Sequence, residues 1–343
     1  MKVLFLNERE VHEILPMEEL IPRMRECLMT LARGEAVLPL RNMVRLPDGS
    51  GLLGLMPGYL GEPQSFGLKV VTVMPANHGT GYDSHQGVVM LFGVKHGEPL
   101  AVLDASSITA IRTAAASGAA THALARTDAA DLAILGSGTQ ARTHLRAMAT
   151  VRRLRRIRIW SRTRAHAERF AREKGVTAPA GTRPAGQTPH IPLIEVCESA
   201  EEAVRGADLI CTTTAAKEPI LRGEWISRGA HINAVGACFA GSRELDSEAV
   251  KRAKLFTDRR ESCLAEAGDF LIARSEGAFG EEHLLGELGD LFLGRLAGRS
   301  GADDITLFES LGIAVEDLAT AHFLLKKARE TQRGNWLEWG GPA

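Results

Sequence analysis

The sequence contains few cysteines and does not arrange them in pairs. Five occur in 343 residues, and none belongs to a Cys-x-x-Cys motif. An odd number of cysteines without that spacing is unsuited to a disulfide framework and to a zinc site. We therefore expect no bound metal, and a protein of a reducing compartment, the cytoplasm.

The chain also lacks an excess of charge of either sign and any long apolar run. Lys and Arg total 41 against 42 Asp and Glu, for a formal net charge of -1, which argues against nucleic acid as a partner. No stretch reaches the ~18 apolar residues of a membrane span, and the run at residues 2–6 is too short for a signal peptide. No membrane partner is expected.

The apolar content is that of a globular protein. Hydrophobic residues make up 45% of the 343-residue chain, which predicts roughly two domains at about 150 residues each. After a short strand at 2–6, apolar residues from Glu10 to Leu31 recur at helical spacing. Short β-type runs follow, at 43–46, 51–56, 68–74, 87–94 and 99–103.

A helix from Ile108 to Ala125, capped by Ser106 or Ser107, leads into a region where strands and helices alternate. This alternation predicts βαβ units and a parallel sheet, so the fold class is α/β with a Rossmann-type domain. The predicted strands are 132–135, 157–160, 193–196, 209–213, 231–235 and 255–257, and the helices are 140–149, 164–174 and 200–204. We expect a surface loop at 177–192 and a last helix at 311–331.

The most informative motif is the Gly-x-Gly-x-x-Ala run that starts at Gly136. It lies directly after a buried strand and before a helix, as in a dinucleotide-binding turn. Gly136 allows the tight turn, Gly138 lets a pyrophosphate approach the backbone, and Ala141 lets the helix pack against the strand. Free N–H groups at the helix start favour an anion there. A plain strand–helix turn is the alternative.

The end of the second strand indicates which dinucleotide binds. An NAD site usually carries Asp or Glu there, to bond the ribose hydroxyls, but this strand ends in a Ser-Arg-Thr-Arg run. A guanidinium with two hydroxyls suits a 2′-phosphate, so Ser161, Arg162 and Thr163 favour NADP, with NAD as the second choice. The arginines could instead be solvated. Thr212 and Thr214, after a later strand, are candidates to line the same cleft.

Three cations stand in apolar surroundings before the Gly-rich turn: Arg41, Lys69 and Arg112. Arginines can clamp a substrate carboxylate, and a partly desolvated Lys can donate a proton because burial lowers its pKa. Taken singly, each is better explained as an exposed or internally paired charge.

Other titratable residues have two interpretations each. His85 could carry a proton or simply bond within its loop, and His231 is expected to be structural. Glu266 and Asp269 could face a cleft or be ordinary charges at a helix end. The residues alone do not decide between these readings.

Eight segments form one pattern along the chain: 56–59, 84–87, 103–115, 136–141, 159–163, 218–221, 229–236 and 310–317. Together they resemble the ornithine cyclodeaminase/mu-crystallin family over nearly the full length. The stretch from Glu218 to Gly236 is most similar to the mu-crystallin branch. The resemblance implies a homodimer with two domains. Residues 1–118 with 312–343 would bind substrate and dimerise, and residues 119–311 would form the Rossmann domain.

The resemblance also implies roles for particular residues. Arg41, Lys69 and Arg112 match the carboxylate-binding positions of the family, and Lys69 would lie near the reacting carbon as proton donor. A further set would line the nicotinamide or phosphate path: Ser84, His85, Thr139, Gln140, Val235, Gly236, Leu311 and Gly312.

One position departs from the deaminating members of the family. They place an Asp two residues after an Asn-Ala-Val-Gly segment, where this sequence has Cys238. A thiol is mostly neutral at pH 7 and cannot replace a carboxylate as base for water attack on an imine. We expect Cys238 to fill space beside the cofactor, and Met56 and Phe239 to contact the substrate ring.

The implied reaction is NADPH-dependent reduction of a cyclic ketimine. Δ1-Pyrroline-2-carboxylate or Δ1-piperideine-2-carboxylate would become L-proline or L-pipecolate, with no acidic neighbour able to drive hydrolysis. Two alternatives stay open. One is an amino-acid enzyme like ornithine cyclodeaminase or alanine dehydrogenase, and the other is a non-catalytic NADP-dependent ligand-binding protein.

Overall fold

The computed structural model describes residues 1–77, 80–173 and 192–340. The chain divides into two compact units, Met1–Arg112 with Ile313–Ala343 and Thr113–Gly312. All but the last residue of the loop predicted at 177–192 lies outside the described residues. Among the described helices, none is long and apolar enough to cross a membrane.

The first unit is built on a mixed sheet. Its strands, numbered along the whole chain, are β1 (Lys2–Leu6), β2 (Ala36–Val37), β3 (Asn42–Arg45), β4 (Leu52–Leu60), β5 (Ser65–Val73), β6 (His85–Phe92), β7 (Pro99–Asp104) and β16 (Asn335–Glu338). The order is β16-β1-β7-β6-β5-β4-β2, with β3 beside β4. The central strands β4 to β7 pair antiparallel, as the punctuated β pattern predicts. Strand β16 was not expected.

The helical pattern between Glu10 and Leu31 forms two helices rather than one, α1 (Glu8–Ile14) and α2 (Met17–Ala32). Pro16 separates them, in an extended conformation with φ -76° and ψ 140°. Pro16 is the N-cap of α2 and has no N–H to donate, so the break between the two helices falls at this residue, whereas Pro22 is accommodated inside α2. Periodicity alone does not register this break.

The helix α3 (Ala105–Leu124) begins earlier than predicted. Its cap is Asp104 and not Ser106 or Ser107, because the Asp104 carboxylate accepts hydrogen bonds from the N–H of Ser107 at 2.7 Å and from its hydroxyl at 2.6 Å. An Asp that accepts from the third helical N–H is a standard N-cap. The boundary between the two units falls within α3, after Arg112.

The last helix, α11 (Ala314–Thr331), packs on β4, β5 and β6 of the first unit. Gly58 and Gly67 lie directly opposite each other on β4 and β5. A Cβ on either would stand 3.3 or 3.2 Å from the Leu318 side chain of α11, and one on Gly67 would also collide with the Met90 carbonyl. The two glycines therefore let α11 approach the sheet closely, two residues along the strands from Lys69.

The second unit is a wholly parallel sheet. Its strands are β8 (Asp131–Leu135), β9 (Arg156–Trp160), β10 (Ile194–Val196), β11 (Leu209–Thr212), β12 (His231–Ala234), β13 (Ala253–Thr257), β14 (Leu284–Glu287) and β15 (Ile305–Glu309). They lie in the order β10-β9-β8-β11-β12-β15-β13-β14. The order reverses between β8 and β11, which is the switch point of a doubly wound sheet and the place where such folds bind ligands. The predicted α/β class is confirmed.

Helices connect these strands: α4 (Thr139–Val151), α5 (Arg164–Arg172), α6 (Ala200–Val204), α7 (Ser247–Arg252), α8 (Arg260–Glu266), α9 (Gly268–Ser275) and α10 (Leu288–Phe292). Four of them and the strands β14 and β15 were not predicted, because they are short and lie in a Gly-rich region. The strand β15 is buried along its whole length. It is also polar at Thr306 and Glu309, which hides it from an apolar pattern.

Candidate active site

The Gly-rich turn of the second unit needs its first glycine for steric reasons. Gly136 has φ 121°, and a Cβ there would stand 2.6 Å from the Thr213 hydroxyl oxygen and 2.7 Å from its carbonyl. Its N–H donates to the Trp160 carbonyl at 2.9 Å, which ties β8 to the end of β9. A side chain would break this crossing of strand ends, so only glycine fits.

Among the described residues, no neighbouring atom requires a glycine at position 138. A Cβ on Gly138 would meet no atom within 4 Å, and no side chain of the described residues caps the N-terminus of α4 that it begins. Thr139 and Gln140 form the first turn, and Ala141 is completely buried against the sheet. A helix start with an open approach and no side-chain cap among the described residues fits a phosphate, so the residues present suit a bound dinucleotide.

The two arginines that follow β9, Arg162 and Arg164, differ in their contacts. Arg164 is engaged, because it bonds Glu168 at 2.9 Å and pairs with Glu198. Arg162 is exposed and has no polar partner among the described residues. Ser161 accepts a hydrogen bond from Ser137 of the Gly-rich turn at 3.0 Å. Arg162 is therefore the arginine that could meet a phosphate.

A buried carboxylate that sequence analysis missed organises the loops after β11 and β12. Glu244 is fully buried and accepts from the Thr214 N–H at 2.6 Å, the Thr214 hydroxyl at 2.6 Å and the Gly236 N–H at 2.7 Å. Burial raises the pKa of Glu244, while the hydrogen bonds from Thr214 and Gly236 lower it. The prediction that Thr212 and Thr214 line a cleft needs correction, because Thr212 is fully buried and the Thr214 hydroxyl is used internally.

A second missed carboxylate, Asp258, holds the segment before α11. It accepts from the N–H groups of Leu311 at 2.9 Å and Gly312 at 2.7 Å. These two residues were predicted inside the last helix but precede it, since α11 begins at Ala314. Asp269 is neither a cleft residue nor an exposed helix-end charge. It is fully buried and bonds the N–H groups of Glu244 and Leu245 at 2.7 and 2.9 Å.

The remaining residues predicted near the cofactor follow β12. Val235 is buried, and Cys238 is half-buried beside the same loop. All five cysteines are free thiols. The histidine that opens β12, His231, is buried and bonded to the Thr306 hydroxyl at 2.9 Å, in keeping with a structural role.

The first unit brings Lys69 into a buried charge cluster. Lys69 lies on β5, with Met56 of β4 and Val89 of β6 directly opposite it. Its side chain is 4% exposed, and its ammonium nitrogen lies 3.5 Å from Oδ1 of Asp317 on α11. The lysine is thus held between apolar strand neighbours and one carboxylate.

Arg112 joins the same cluster, where it is paired internally. Its Nε donates to Asp317 Oδ1 at 2.8 Å and its Nη1 donates to Glu316 Oε2 at 2.8 Å. Two acids thus lie beside these cations, and both bond Arg112. Sequence analysis missed them, although two adjacent acids in an otherwise apolar helix start were a signal available in the sequence.

The cluster combines two cations with two anions in a region closed to water. Burial lowers the pKa of Lys69 to about 8, and Arg112 and Arg41 lower it too, while Asp317 raises it by charge and hydrogen bonding. A buried ion pair is tolerated where charges balance and hydrogen bonds are made. A lysine with a pKa this close to neutrality can give up a proton and regain it.

Arg41, Ser84 and His85 also lie in the first unit. Arg41 is half-buried, just before β3, and its charge is felt at Lys69. The Ser84 hydroxyl oxygen lies 3.0 Å from Nδ1 of His85, at the start of β6, and the His85 carbonyl accepts from the Ser106 hydroxyl at 2.7 Å. The cations predicted to bind a carboxylate therefore share one unit, and the Gly-rich turn lies in the other.

The parallel sheet, its switch point and the Gly-rich turn define a Rossmann-type dinucleotide-binding fold, joined in one chain to a unit with a buried lysine. The model of the ornithine cyclodeaminase/mu-crystallin family matches residues 1–332. The chain belongs to this family, and the predicted resemblance is confirmed.

Relatives of known name cover almost the whole chain. It is 39% identical over 321 residues to the ketimine reductase mu-crystallin of Mus musculus, covering 92% of this chain and 95% of the relative. The Thermococcus litoralis Δ1-pyrroline-2-carboxylate reductase, solved with NADH and L-proline, is 36% identical with a TM-score of 0.90, over 97% of this chain and 99% of that one. An archaeal alanine dehydrogenase dimer with bound NAD is 30% identical with a TM-score of 0.87, over 99% and 100%.

Proposed function

We propose that this protein reduces a cyclic ketimine carboxylate with a nicotinamide dinucleotide, preferably NADPH. The substrates are Δ1-pyrroline-2-carboxylate and Δ1-piperideine-2-carboxylate, and the products are L-proline and L-pipecolate. The observation that carries the proposal is the buried Lys69, which has a pKa of about 8 and lies beside Arg112 in a cluster where Asp317 and Glu316 balance the two cations. The two reductases to which the chain is similar act, by their names, on such imines.

The first unit supplies the groups that such a substrate needs. Arg41 and Lys69 attract its carboxylate, and Arg112 adds to the positive field although Glu316 and Asp317 hold two of its nitrogens. Met56, directly opposite Lys69 on the neighbouring strand, offers an apolar surface to the ring. The cations therefore bind the carboxylate of the substrate, and the apolar surface contacts its ring.

The proton and the hydride come from different parts of the protein. Lys69 protonates the imine nitrogen, which makes the adjacent carbon electrophilic. The reduced dinucleotide, when bound, would supply the hydride for that carbon, which would convert the C=N bond to CH–NH as the dinucleotide is oxidised. Lys69 then recovers its proton from solvent. No water is added and no ammonia is released.

The second unit holds the dinucleotide by main-chain and side-chain groups that the fold brings together. Gly136, Gly138, Thr139, Gln140 and Ala141 would hold the pyrophosphate at the start of α4. Arg162 with Ser161 and Thr163 would bond the ribose 2′-phosphate. Val235, Gly236, Cys238, Leu311 and Gly312 would hold the end of the cofactor that carries the nicotinamide.

Deamination of an amino acid is the second candidate, favoured by the similarity to alanine dehydrogenase. Asp317 does not act as its base, because both Arg112 and Lys69 bond the same carboxylate oxygen. Cys238 stands where the family's deaminating members have Asp. Release of ammonia from an amino acid would support this candidate over the reduction.

We also propose that the protein is a homodimer of the cytoplasm. The archaeal alanine dehydrogenase of similar fold is described as a dimer. Five free thiols suit a reducing compartment. Light scattering of the purified protein would test the dimer.

The assignment of Lys69 is tested by replacing it. Lys69→Met keeps the length of the side chain and removes the proton, so we expect NADPH oxidation with either ketimine to fall by about 100-fold or more. Lys327→Met is the matched control, because that lysine pairs with Glu19 at 2.5 Å in the same unit without touching the cluster. Wild-type turnover by the Lys69 variant would contradict the proposal.

A further inference from the structure

Asp317 lies in the buried cluster and accepts hydrogen bonds from both of the cluster's cations, Lys69 and Arg112. Its Oδ1 accepts from Arg112 Nε at 2.8 Å and from Lys69 Nζ at 3.5 Å, and the residue is 0% exposed. Among the described residues, this oxygen is the one hydrogen-bond acceptor of the Lys69 ammonium. The other two N–H bonds of the ammonium are thus available to a substrate.

We propose that Asp317 is a positioning residue of the reduction, whose carboxylate aims the Lys69 ammonium and keeps it charged for proton delivery. The inference rests on the proposed function. Lys69 would otherwise be a lone ammonium on a buried strand position, where the neutral amine is favoured. The packing of α11 on Gly58 and Gly67 is what brings the carboxylate within reach.

Titratable and charged groups from five parts of the chain surround Lys69. Most of them repel its ammonium or carry no charge. Arg112 on α3 and Arg41 before β3 repel it, and the thiol of Cys27 on α2 is held neutral because burial raises its pKa. His85 on β6 faces the Lys69 charge. Glu316 bonds Arg112 and makes no contact with Lys69. Asp317 alone among these groups both touches the ammonium and attracts it.

The adjacent acids Glu316 and Asp317 provide a matched pair of variants. Both are buried on α11 and both bond Arg112 at 2.8 Å, but only Asp317 contacts Lys69. Asp317→Asn therefore removes the ion pairs to Arg112 and to Lys69, whereas Glu316→Gln removes only a pair to Arg112. A merely structural role would affect the stability of both variants without separating their pH profiles.

The readout is the pH dependence of kcat/KM for the ketimine, measured with NADPH. A proton donor must be charged, so the rate falls as pH rises through the pKa of Lys69, which is about 8. Removal of an opposite charge at this distance lowers the pKa of the amine by about 1–3 units. We expect the descending limb to move to lower pH by that amount in Asp317→Asn and to stay in place in Glu316→Gln. Asp317→Glu, which keeps the charge, should restore most of the wild-type limb.

A second measurement does not depend on turnover. The Lys69 side chain can be followed by NMR with 13C at the ε carbon of lysine, and its signal identified by its loss in Lys69→Arg. We expect its titration midpoint to fall in Asp317→Asn and not in Glu316→Gln. The inference would be overturned if Asp317→Asn left both the Lys69 titration midpoint and the descending limb of the kcat/KM profile unmoved. An equal shift in Glu316→Gln would overturn it too. Absence of ketimine reduction by the wild type, with the midpoint shifted as expected, would instead contradict the proposed function alone.

Discussion

We propose that the choice between NADPH and NADH depends on the side chain of Arg162. It is exposed at the end of β9, and no described residue bonds it, whereas Arg164 two positions on is held by Glu168 and Glu198. A guanidinium in this position can make charge-assisted hydrogen bonds to the 2′-phosphate of NADPH, whereas NADH offers only a neutral 2′-hydroxyl there. The two arginines should therefore affect cofactor binding very differently.

Replacement of Arg162 by Ala tests this difference. Loss of a charge-assisted hydrogen bond costs roughly 1.5–3 kcal/mol, so the Kd for NADPH should rise about 10- to 150-fold while the Kd for NADH changes little. Titration of nicotinamide fluorescence measures both, and Arg164→Ala is the control. Equal weakening of both dinucleotides in Arg162→Ala would show that the residue does not meet a 2′-phosphate.

Single residues could be selected from the sequence by their chemistry, but their partners could not. Lys69 and Arg112 stand out as charges among apolar neighbours, and both are indeed buried. The acids that neutralise them lie more than 200 positions away in the chain. Nothing local in the sequence relates residue 112 to residue 317, and the pairing exists only because α11 packs on the central strands.

The loops at the carboxyl ends of β11 and β12 are joined by one buried carboxylate. Glu244 accepts main-chain N–H groups from both loops, at Thr214 and at Gly236. Asp269 in turn fixes the backbone of Glu244. Carboxyl ends of parallel strands are where a dinucleotide binds in this fold, so Glu244 fixes the shape of loops that we propose to lie at the dinucleotide site.

Glu244→Gln should loosen these two loops together. The amide has one acceptor oxygen in place of two, so a buried N–H of Thr214 or Gly236 is left unpaired, at a cost of about 1–3 kcal/mol. We expect a lower Tm and a severalfold higher Kd for NADPH, with the KM for the ketimine little changed. Glu276→Gln, which weakens an exposed pair with Arg243, is the control. A Glu244 variant with wild-type Tm and NADPH affinity would contradict this role.

Elements with a strong period could be predicted, and those shaped by a single residue could not. The strands β8 and β9 and the helix α6 follow the pattern closely. The division of the first helical region depends on Pro16, the start of α3 on Asp104 and the start of α11 on the segment held by Asp258. Each of these is a hydrogen-bonding or steric effect that hydrophobic periodicity does not record.

At the scale of the whole molecule, two units divide the chemistry between them. One contains the buried lysine with its carboxylate partner, and the other contains the Gly-rich turn and the loops bound by Glu244 and Asp258. Family membership extends over residues 1–332 and so covers both units. We propose that this protein catalyses hydride transfer from a nicotinamide dinucleotide to the carbon of a cyclic C=N bond that bears a carboxylate.

Transfer of deuterium from NADPH in which both hydrogens of the nicotinamide C4 are deuterium tests this reaction. The protein is incubated with labelled NADPH and each cyclic ketimine, and the product is analysed by mass spectrometry and NMR. We predict L-proline or L-pipecolate with one deuterium on the carbon that bears the carboxylate, one NADPH oxidised per product and no ammonia. Product without deuterium at that carbon, or ammonia formed from an amino acid without consumption of NADPH, would contradict the account.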